Sequence, residues 1–349
     1  MRLFTNDYAE GAAPEVLDAL VRTNLEQHPG YTEGDEPCAR AAQLVREACG
    51  RDDVAVEFAI GGTSANLVGV TGLLRDWEGV ICAADAHINV HETGAIAAAG
   101  RTVLATHDAD AFLTPEETER VWRFQTSTGR HMTRPAAIYI SDTNEFGGVW
   151  SLERFDAICD WAQSHDLAIF VDGARLASAL TAPGADLTLP HIAARADAFT
   201  MGGTKNGALF GEAVVIANER LREAWPFLIK ERGGLLAKGR LLGVQFEALL
   251  TPGPDGESPW FRYARHANEQ AGRVRAGLVE LGFEPFGDSN SNQQFFCCTR
   301  EQAAAFGEAC GCNSFLVLPD GREVVRFVCS WATEAAHVDE LLEFARTIA

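Results

Sequence analysis

Apolar residues recur at helical spacing through residues 14–25 and again through residues 38–49, where Gly50 follows as a C-terminal stop. The tract between them, residues 28–37, is rich in Gly, Pro and acids and reads as a loop with Tyr31 at its centre. From there short apolar runs alternate with helical patterns, at residues 54–60, 79–83, 102–105, 136–141, 167–171, 198–201 and 213–216. Several of these runs are continuously apolar, as strands covered by helices on both faces must be. The alternation predicts an α/β unit with a mostly parallel sheet. Residues 251–259 (TPGPDGESP) concentrate Pro, Gly and acids between two helical stretches and mark a boundary. Beyond it a helix over 261–281, strand-like runs at 294–298 and 324–329 and an amphipathic helix over 334–348 predict a smaller α+β unit. The expected division is an arm and loop over 1–35, a large domain over 36–250 and a small C-terminal domain over 251–349.

Composition narrows the partners. Among 349 residues 47% are hydrophobic and 22% charged, an ordinary globular balance that calls for no disordered segment. The net charge of −20, from 49 acidic and 29 basic residues, repels phosphate backbones and anionic membrane surfaces, so neither nucleic acid nor membrane is an expected partner. A small anion held by local basic groups is compatible with the same charge. The nine cysteines are an odd number without a CxxC pair, which fits a reducing compartment. Cys310 and Cys312 read as structural thiols, and no metal is expected. No apolar run is long enough for a signal peptide or a membrane span, so the expected location is the cytoplasm.

Three stretches carry chemistry. In FAIGGTSAN, residues 58–66, a strand runs into two glycines, two hydroxyl residues and a helical pattern. The first N–H groups of a helix lack internal partners, so Gly62, Thr63 and Ser64 can cradle a phosphate; taken alone, a simple N-cap and tight turn explain them equally well. In LAIFVDGAR, residues 167–175, a buried strand delivers Asp172 at its carboxyl end, where open α/β sheets bind ligands. Such an Asp can hold a proton on a ring nitrogen, or merely cap the next turn. In AFTMGGTKN, residues 198–206, a single lysine, Lys205, follows a strand and two glycines. Desolvation there would lower its pKa and free the amine for Schiff-base chemistry with an aldehyde.

Together with the opening FTNDYAEGAAPEVL, the loop GYTEGDEP, the stretch DAHINVHETGA and the closing VVRFVCSW, these motifs resemble the threonine aldolases and β-eliminating lyases, pyridoxal-phosphate enzymes of fold type I. The resemblance spans nearly the whole chain and implies an aspartate-aminotransferase-like large domain. It implies pyridoxal 5'-phosphate as cofactor, carried by Lys205, with Asp172 on the pyridine nitrogen and Gly62, Thr63 and Ser64 around the phosphate. His87 corresponds to the residue whose ring stacks on the cofactor. Arg175 and Arg326 correspond to the arginines that grip the substrate carboxylate, and Asn6 stands where many members carry a serine for the same anion. His131 resembles a histidine that takes the β-hydroxyl proton, a task water could also perform, and Tyr31 is a neighbour from the same or an adjacent subunit. Residues 230–240 (KERGGLLAKGR) depart most from the family pattern, and Lys238 or Arg240 is the expected basic group for a neighbouring phosphate.

The function implied is cleavage of L-threonine, L-allo-threonine or a related β-hydroxy amino acid to glycine and an aldehyde, by a homo-oligomer with shared active sites. A β-eliminating lyase or an aminotransferase would share Lys205 and Asp172, and substrate assays separate them. A non-catalytic pyridoxal-phosphate-binding regulator would need an added nucleic-acid-binding domain and a basic face, for which the chain has neither length nor charge.

Overall fold

Short caps and glycine stops set the helices. The computed structural model describes residues 2–31, 34–107 and 111–349. Its elements begin with α1 (Pro14–Arg22), α2 (Glu36–Cys49), β1 (Ala55–Ala59), α3 (Gly62–Leu73), β2 (Glu78–Cys82), α4 (His87–Val90), α5 (Ala95–Ala98) and β3 (Thr102–Ala105). There follow α6 (Pro115–Thr126), β4 (Arg134–Ser141), α7 (Leu152–Ser164), β5 (Ala168–Asp172), α8 (Leu176–Thr181), α9 (Leu189–Arg195), β6 (Ala198–Gly202) and β7 (Glu212–Ile216). Next come α10 (Glu219–Glu231), α11 (Arg240–Leu250), α12 (Pro259–Glu280), β8 (Glu284–Pro285), β9 (Gln293–Cys298), α13 (Arg300–Cys310), β10 (Ser314–Val317), β11 (Glu323–Val328) and α14 (Ala335–Arg346). Asp35 accepts the Cys38 N–H at the start of α2, and Gly50, at φ 63°, ends it in the left-handed conformation that a glycine adopts without strain.

Seven strands form one sheet in the order β1-β7-β6-β5-β4-β2-β3. Only β7 runs against the rest, pairing antiparallel with both β1 and β6. The parallel majority agrees with the sequence pattern, and the reason the strands are continuously apolar is visible in β4. Ile138 and Ile140 enter one buried cluster, with Ile169, Val171 and Met201, while Ala137 and Tyr139 enter the other, with Phe170, Val214 and Ile216. Each fully buried side chain of this size stabilises the fold by roughly 1.5 to 3 kcal/mol. Helix α3 lies close over β5 because Gly69 has no side chain: a Cβ there would collide with the Phe170 ring. That approach sets the amino end of α3 above the carboxyl end of β5.

The second sheet, β10-β11-β9-β8, is antiparallel throughout. Phe296, Phe306, Phe327, Val338 and Leu341 bury one of its faces under α12, α13 and α14. The other face, Phe295 and Val324, packs with Phe146 and Phe315. Helix α11 ends at Leu250 and α12 begins at Pro259, with the Pro- and Gly-rich tract between them. The first residues are not a free arm. Phe4 is fully buried in the second core, donating its N–H to the Cys310 carbonyl (3.0 Å) and accepting from Val328 (2.9 Å). A polar seam joins the two halves: Asn268 of α12 donates to the Ser178 carbonyl of α8 at 2.8 Å, and Asn292 donates to Asp7 at 2.9 Å.

Candidate active site

Strands β1, β4, β5 and β6 point their carboxyl ends the same way, and a cavity of about 790 Å³ opens there. It is lined by Gly61, Gly62, Thr63, His87, Glu145, Asp172, Arg175, Lys205 and Arg326, among others. Helix α3 starts at this cavity. Its first bond, from the Ala65 N–H to the Gly61 carbonyl at 3.0 Å, leaves the preceding N–H groups of Gly62, Thr63 and Ser64 outside the helical ladder. No atom stands within 4 Å of where a Cβ would be at Gly61 or Gly62, so an anion can approach the backbone. Ser64 is not part of the cavity lining; its Oγ lies 3.1 Å from where a Cβ would be at Gly234, within the 230–240 segment. Lys230 of that segment sits 4.6 Å above the Tyr31 ring.

The glycines of the other two motifs have packing reasons. A Cβ at Gly173 would run into the Thr200 carbonyl, and one at Gly202 into the Ala174 carbonyl, so β5 and β6 can come this close only with glycine at their ends. Lys205 sits in the connection from β6 to β7, pinned by the Gly203 N–H on Glu212 (2.9 Å) and by the Trp260 indole on the Gly202 carbonyl (2.7 Å). No described residue forms an ion pair or hydrogen bond with its ammonium, and burial together with the nearby Arg175 guanidinium holds that ammonium below its ordinary pKa. The amine is therefore available for chemistry.

Asp172 is held by three donors: the Asn66 amide at 2.8 Å, the Tyr139 hydroxyl, and the Ala174 N–H at 2.9 Å. Asn66 also donates to Glu92 at 2.7 Å, and the fully buried Glu92 carboxylate meets His87 Nδ1 at 2.8 Å. Burial works against charge on His87, but the Glu92 hydrogen bond and the Asp172 charge outweigh it and raise the imidazole above its ordinary pKa. Sequence reasoning missed Asn66, Glu92 and Tyr139 as the support of this network. Asn66 and Glu92 lay within quoted motifs, whereas Tyr139 reads as one more apolar strand residue.

Arg175 and Arg326 both reach the cavity but are differently committed. The Asp7 carboxylate takes Arg175 Nε at 2.7 Å and Nη2 at 3.0 Å. Arg326 makes one long contact, Nη1 to Gln293 Oε1 at 3.4 Å, and lies 5.3 Å from the Phe315 ring centroid. No described carboxylate pairs with it. Asn6 does not line the cavity; its Oδ1 accepts the Tyr8 N–H at 2.9 Å, and Tyr8 lines the cavity instead. Tyr31 is exposed and outside the lining. His131 is exposed too, with Nε2 3.4 Å from Thr128 Oγ1, in the turn before β4. The far end of that strand, Ser141, lines the cavity, so within one chain the 8 residues of β4 separate His131 from it. At 3.3 Å per residue that is roughly 25 Å. His91 and Glu145 line the cavity and were not singled out from the sequence.

Sheet order, the lysine after β6 and the aspartate ending β5 define an aminotransferase-like α/β architecture. Aspartate aminotransferase from Thermus thermophilus superposes on 100% of this chain and 92% of its own with a TM-score of 0.71 at 17% identity, a likeness of fold alone. Residues 4–294 match the β-eliminating lyase family, and the chain belongs to it. The low specificity L-threonine aldolase of Pseudomonas sp. (strain NCIMB 10558) is 30% identical over 348 residues, covering 99% of this chain and 97% of the relative. The Pseudomonas aeruginosa protein of the same description is 28% identical over 349 residues, covering 99% and 97%. The structure of Leishmania major threonine aldolase is similar at a TM-score of 0.95 with 38% identity, covering 100% of this chain and 99% of that one. Among the described residues no group of three or more His, Cys, Asp or Glu is placed to hold a metal ion.

Proposed function

We propose that the chain is a pyridoxal-phosphate-dependent aldolase that cleaves L-threonine, L-allo-threonine or a related β-hydroxy amino acid to glycine and an aldehyde. The observation that carries the reading is the convergence, in one cavity, of a three-donor aspartate, an open helix amino end, and a lysine and an arginine that pair with no carboxylate among the described residues. The residues fit the cofactor: Gly62 and Thr63 would hold its phosphate, Asp172 its ring nitrogen, Lys205 its aldehyde carbon, and His87 one face of its ring. When bound, the cofactor supplies an electron sink for the pair left on Cα.

The chain's own residues then do the rest. Asn66, Tyr139 and the Ala174 N–H fix the direction of the Asp172 carboxylate, so its charge is aligned before any ligand arrives. Glu92 orients the His87 ring through Nδ1. Arg326 offers its planar fork to the substrate carboxylate, and Arg175, locked by Asp7, presents the remaining edge of its guanidinium. Holding the carboxylate there would orient the substrate about Cα and so select which of its bonds is cleaved.

The exposed apolar stripe Leu17, Val21 and Leu25, at 45%, 77% and 92% exposure, supports a homo-oligomer. His131 and Tyr31 would then serve a neighbouring subunit's cavity, as would Lys238 or Arg240. Nine free, buried thiols and the lack of any described helix long and apolar enough to cross a membrane support a cytoplasmic location. The test of function is glycine release from L-threonine, L-allo-threonine and L-serine. Glycine and aldehyde from the first two support the reading. Pyruvate from L-serine without cleavage of the others would make the chain an eliminating lyase.

A further inference from the structure

With His131 at the amino end of β4, the β-hydroxyl's base within a single chain is either water, the alternative left open above, or another side chain of the cavity. The opposite end of the same strand carries a candidate. Glu145 stands four residues beyond Ser141, is mostly buried, and lines the cavity beside His87 and Lys205. Its carboxylate meets no hydrogen-bond donor and no ion-pair partner among the described residues. The loop that carries it is rigid: Asn144 Oδ1 accepts the N–H groups of Phe146 (3.0 Å) and Gly148 (2.8 Å), and Ser289 Oγ donates to the Gly147 carbonyl at 3.1 Å. Partly buried in the lining and without a partner among the described residues, the Glu145 carboxylate faces a space that a ligand can fill.

The loop shares the cavity lining with both groups that would hold an amino acid: Lys205 and His87, and Arg326. The Phe146 ring packs 5.5 Å from the Phe315 ring, and Phe315 in turn lies under Arg326. A substrate with its amine at the Lys205 position and its carboxylate at Arg326 would share this cavity with Glu145. Burial raises the Glu145 pKa above the ordinary carboxylate range, with Asp172 adding to it, against the pull of His87, Arg175 and Lys205; Arg326 is a further cation that interacts with its charge.

We propose that Glu145, and not a neighbouring subunit's His131 or water, is the general base for the substrate's β-hydroxyl; the assignment rests on the aldolase reading. The carboxylate takes the hydroxyl proton, the O–H pair becomes the second bond of the aldehyde carbonyl, and the Cα–Cβ pair stays on Cα until a proton arrives there. One proton leaves the substrate oxygen and one reaches carbon, so the enzyme ends each turnover in its starting state.

The experiment compares the parent, Glu145→Gln and Glu145→Asp as holoenzymes by three readouts: the visible band of bound cofactor, exchange of glycine Cα–H with D₂O followed by NMR, and steady-state cleavage of L-threonine across pH. Glycine has no hydroxyl, so its exchange needs Lys205 and Asp172 but not this base. The expected result for Glu145→Gln is a cleavage kcat at least about 100-fold below the parent, with the band kept and exchange within about 3-fold. The acid limb of the parent's kcat/KM profile, where activity rises as Glu145 ionises, is absent from Glu145→Gln and returns in part in Glu145→Asp. Cleavage within about 3-fold of the parent, or loss of band and exchange together with cleavage, overturns the assignment. A parent that exchanges glycine yet cleaves no β-hydroxy amino acid overturns the aldolase reading itself, and the base with it.

Discussion

Arg326→Gln should move activity and stability in opposite directions. The guanidinium is largely buried, carries no described carboxylate partner, and is pushed below its ordinary pKa by burial and by Arg175. In the absence of substrate it is a desolvated cation beside another cation. Removing it forfeits the stacking on Phe315, about 0.5 to 1 kcal/mol, and a long contact to Gln293. It also relieves a largely buried charge that Asp7, Tyr8 and Glu145 offset only in part, about 1 to 3 kcal/mol. The net gain is about 1 kcal/mol, which over a chain of 349 residues raises Tm by roughly 1 to 2 °C at ~2.1 cal/mol/K per residue. On the proposed role of Arg326, the same change removes a charge-assisted bond to the substrate carboxylate, about 1.5 to 3 kcal/mol, or about ten- to a hundred-fold in kcat/KM. Calorimetry of the substrate-free variant and steady-state cleavage of L-threonine measure both, with cofactor content as the control. A Tm several degrees lower would make Arg326 a structural residue, and an unchanged kcat/KM would remove it from the site.

Asp7→Asn should destabilise the protein by about 3 to 5 kcal/mol at neutral pH, because it leaves the Arg175 guanidinium buried without its counter-charge. Burial pushes the Asp7 carboxyl up, but Arg175 and then Lys205 hold it below 3.8, so its contribution is present above that value and lost as pH falls through the lower folded one. Denaturant unfolding of parent and variant should therefore differ at pH 7 and converge only in strong acid; equal midpoints at pH 7 would contradict this. Asp142 is the opposite case: burial raises its carboxyl to about 8, and Oδ2 has no partner. Stability linked to it is present below the unfolded value near 3.8 and lost as pH rises towards 8, so Asp142→Asn should gain on the parent between those limits. A difference in Tm that does not change between pH 5 and pH 8.5 would refute that reasoning.

The large sheet was legible because its strands are apolar on both faces, and the three chemical motifs because each ends a strand in glycine: backbone crowding requires Gly173 and Gly202, whereas Gly61 and Gly62 leave the amino end of α3 open. The small sheet was half legible. Strands β9 and β11 are buried, whereas β10 is mostly exposed and β8 has two residues, too short for a period to show. The residues that orient the site were harder to see. Asp7 meets Arg175 across 168 positions, and Tyr139 reaches Asp172 through a hydroxyl at the end of an otherwise apolar side chain. His131 stands at the amino end of β4, and a motif match gives its order along the strand without saying which end faces the cavity of the same chain.

The central claim is that Lys205 carries the cofactor covalently for carbon–carbon bond cleavage. The direct measurement loads parent and Lys205→Ala with pyridoxal phosphate, reduces both with borohydride, and locates the added mass by peptide mapping alongside glycine release from L-threonine. The account predicts a cofactor-sized adduct on the peptide containing Lys205 in the parent only, with cleavage abolished in Lys205→Ala while its fold, read by circular dichroism, is kept. An adduct on another lysine, or cleavage at near the parental rate in a folded Lys205→Ala, would contradict it.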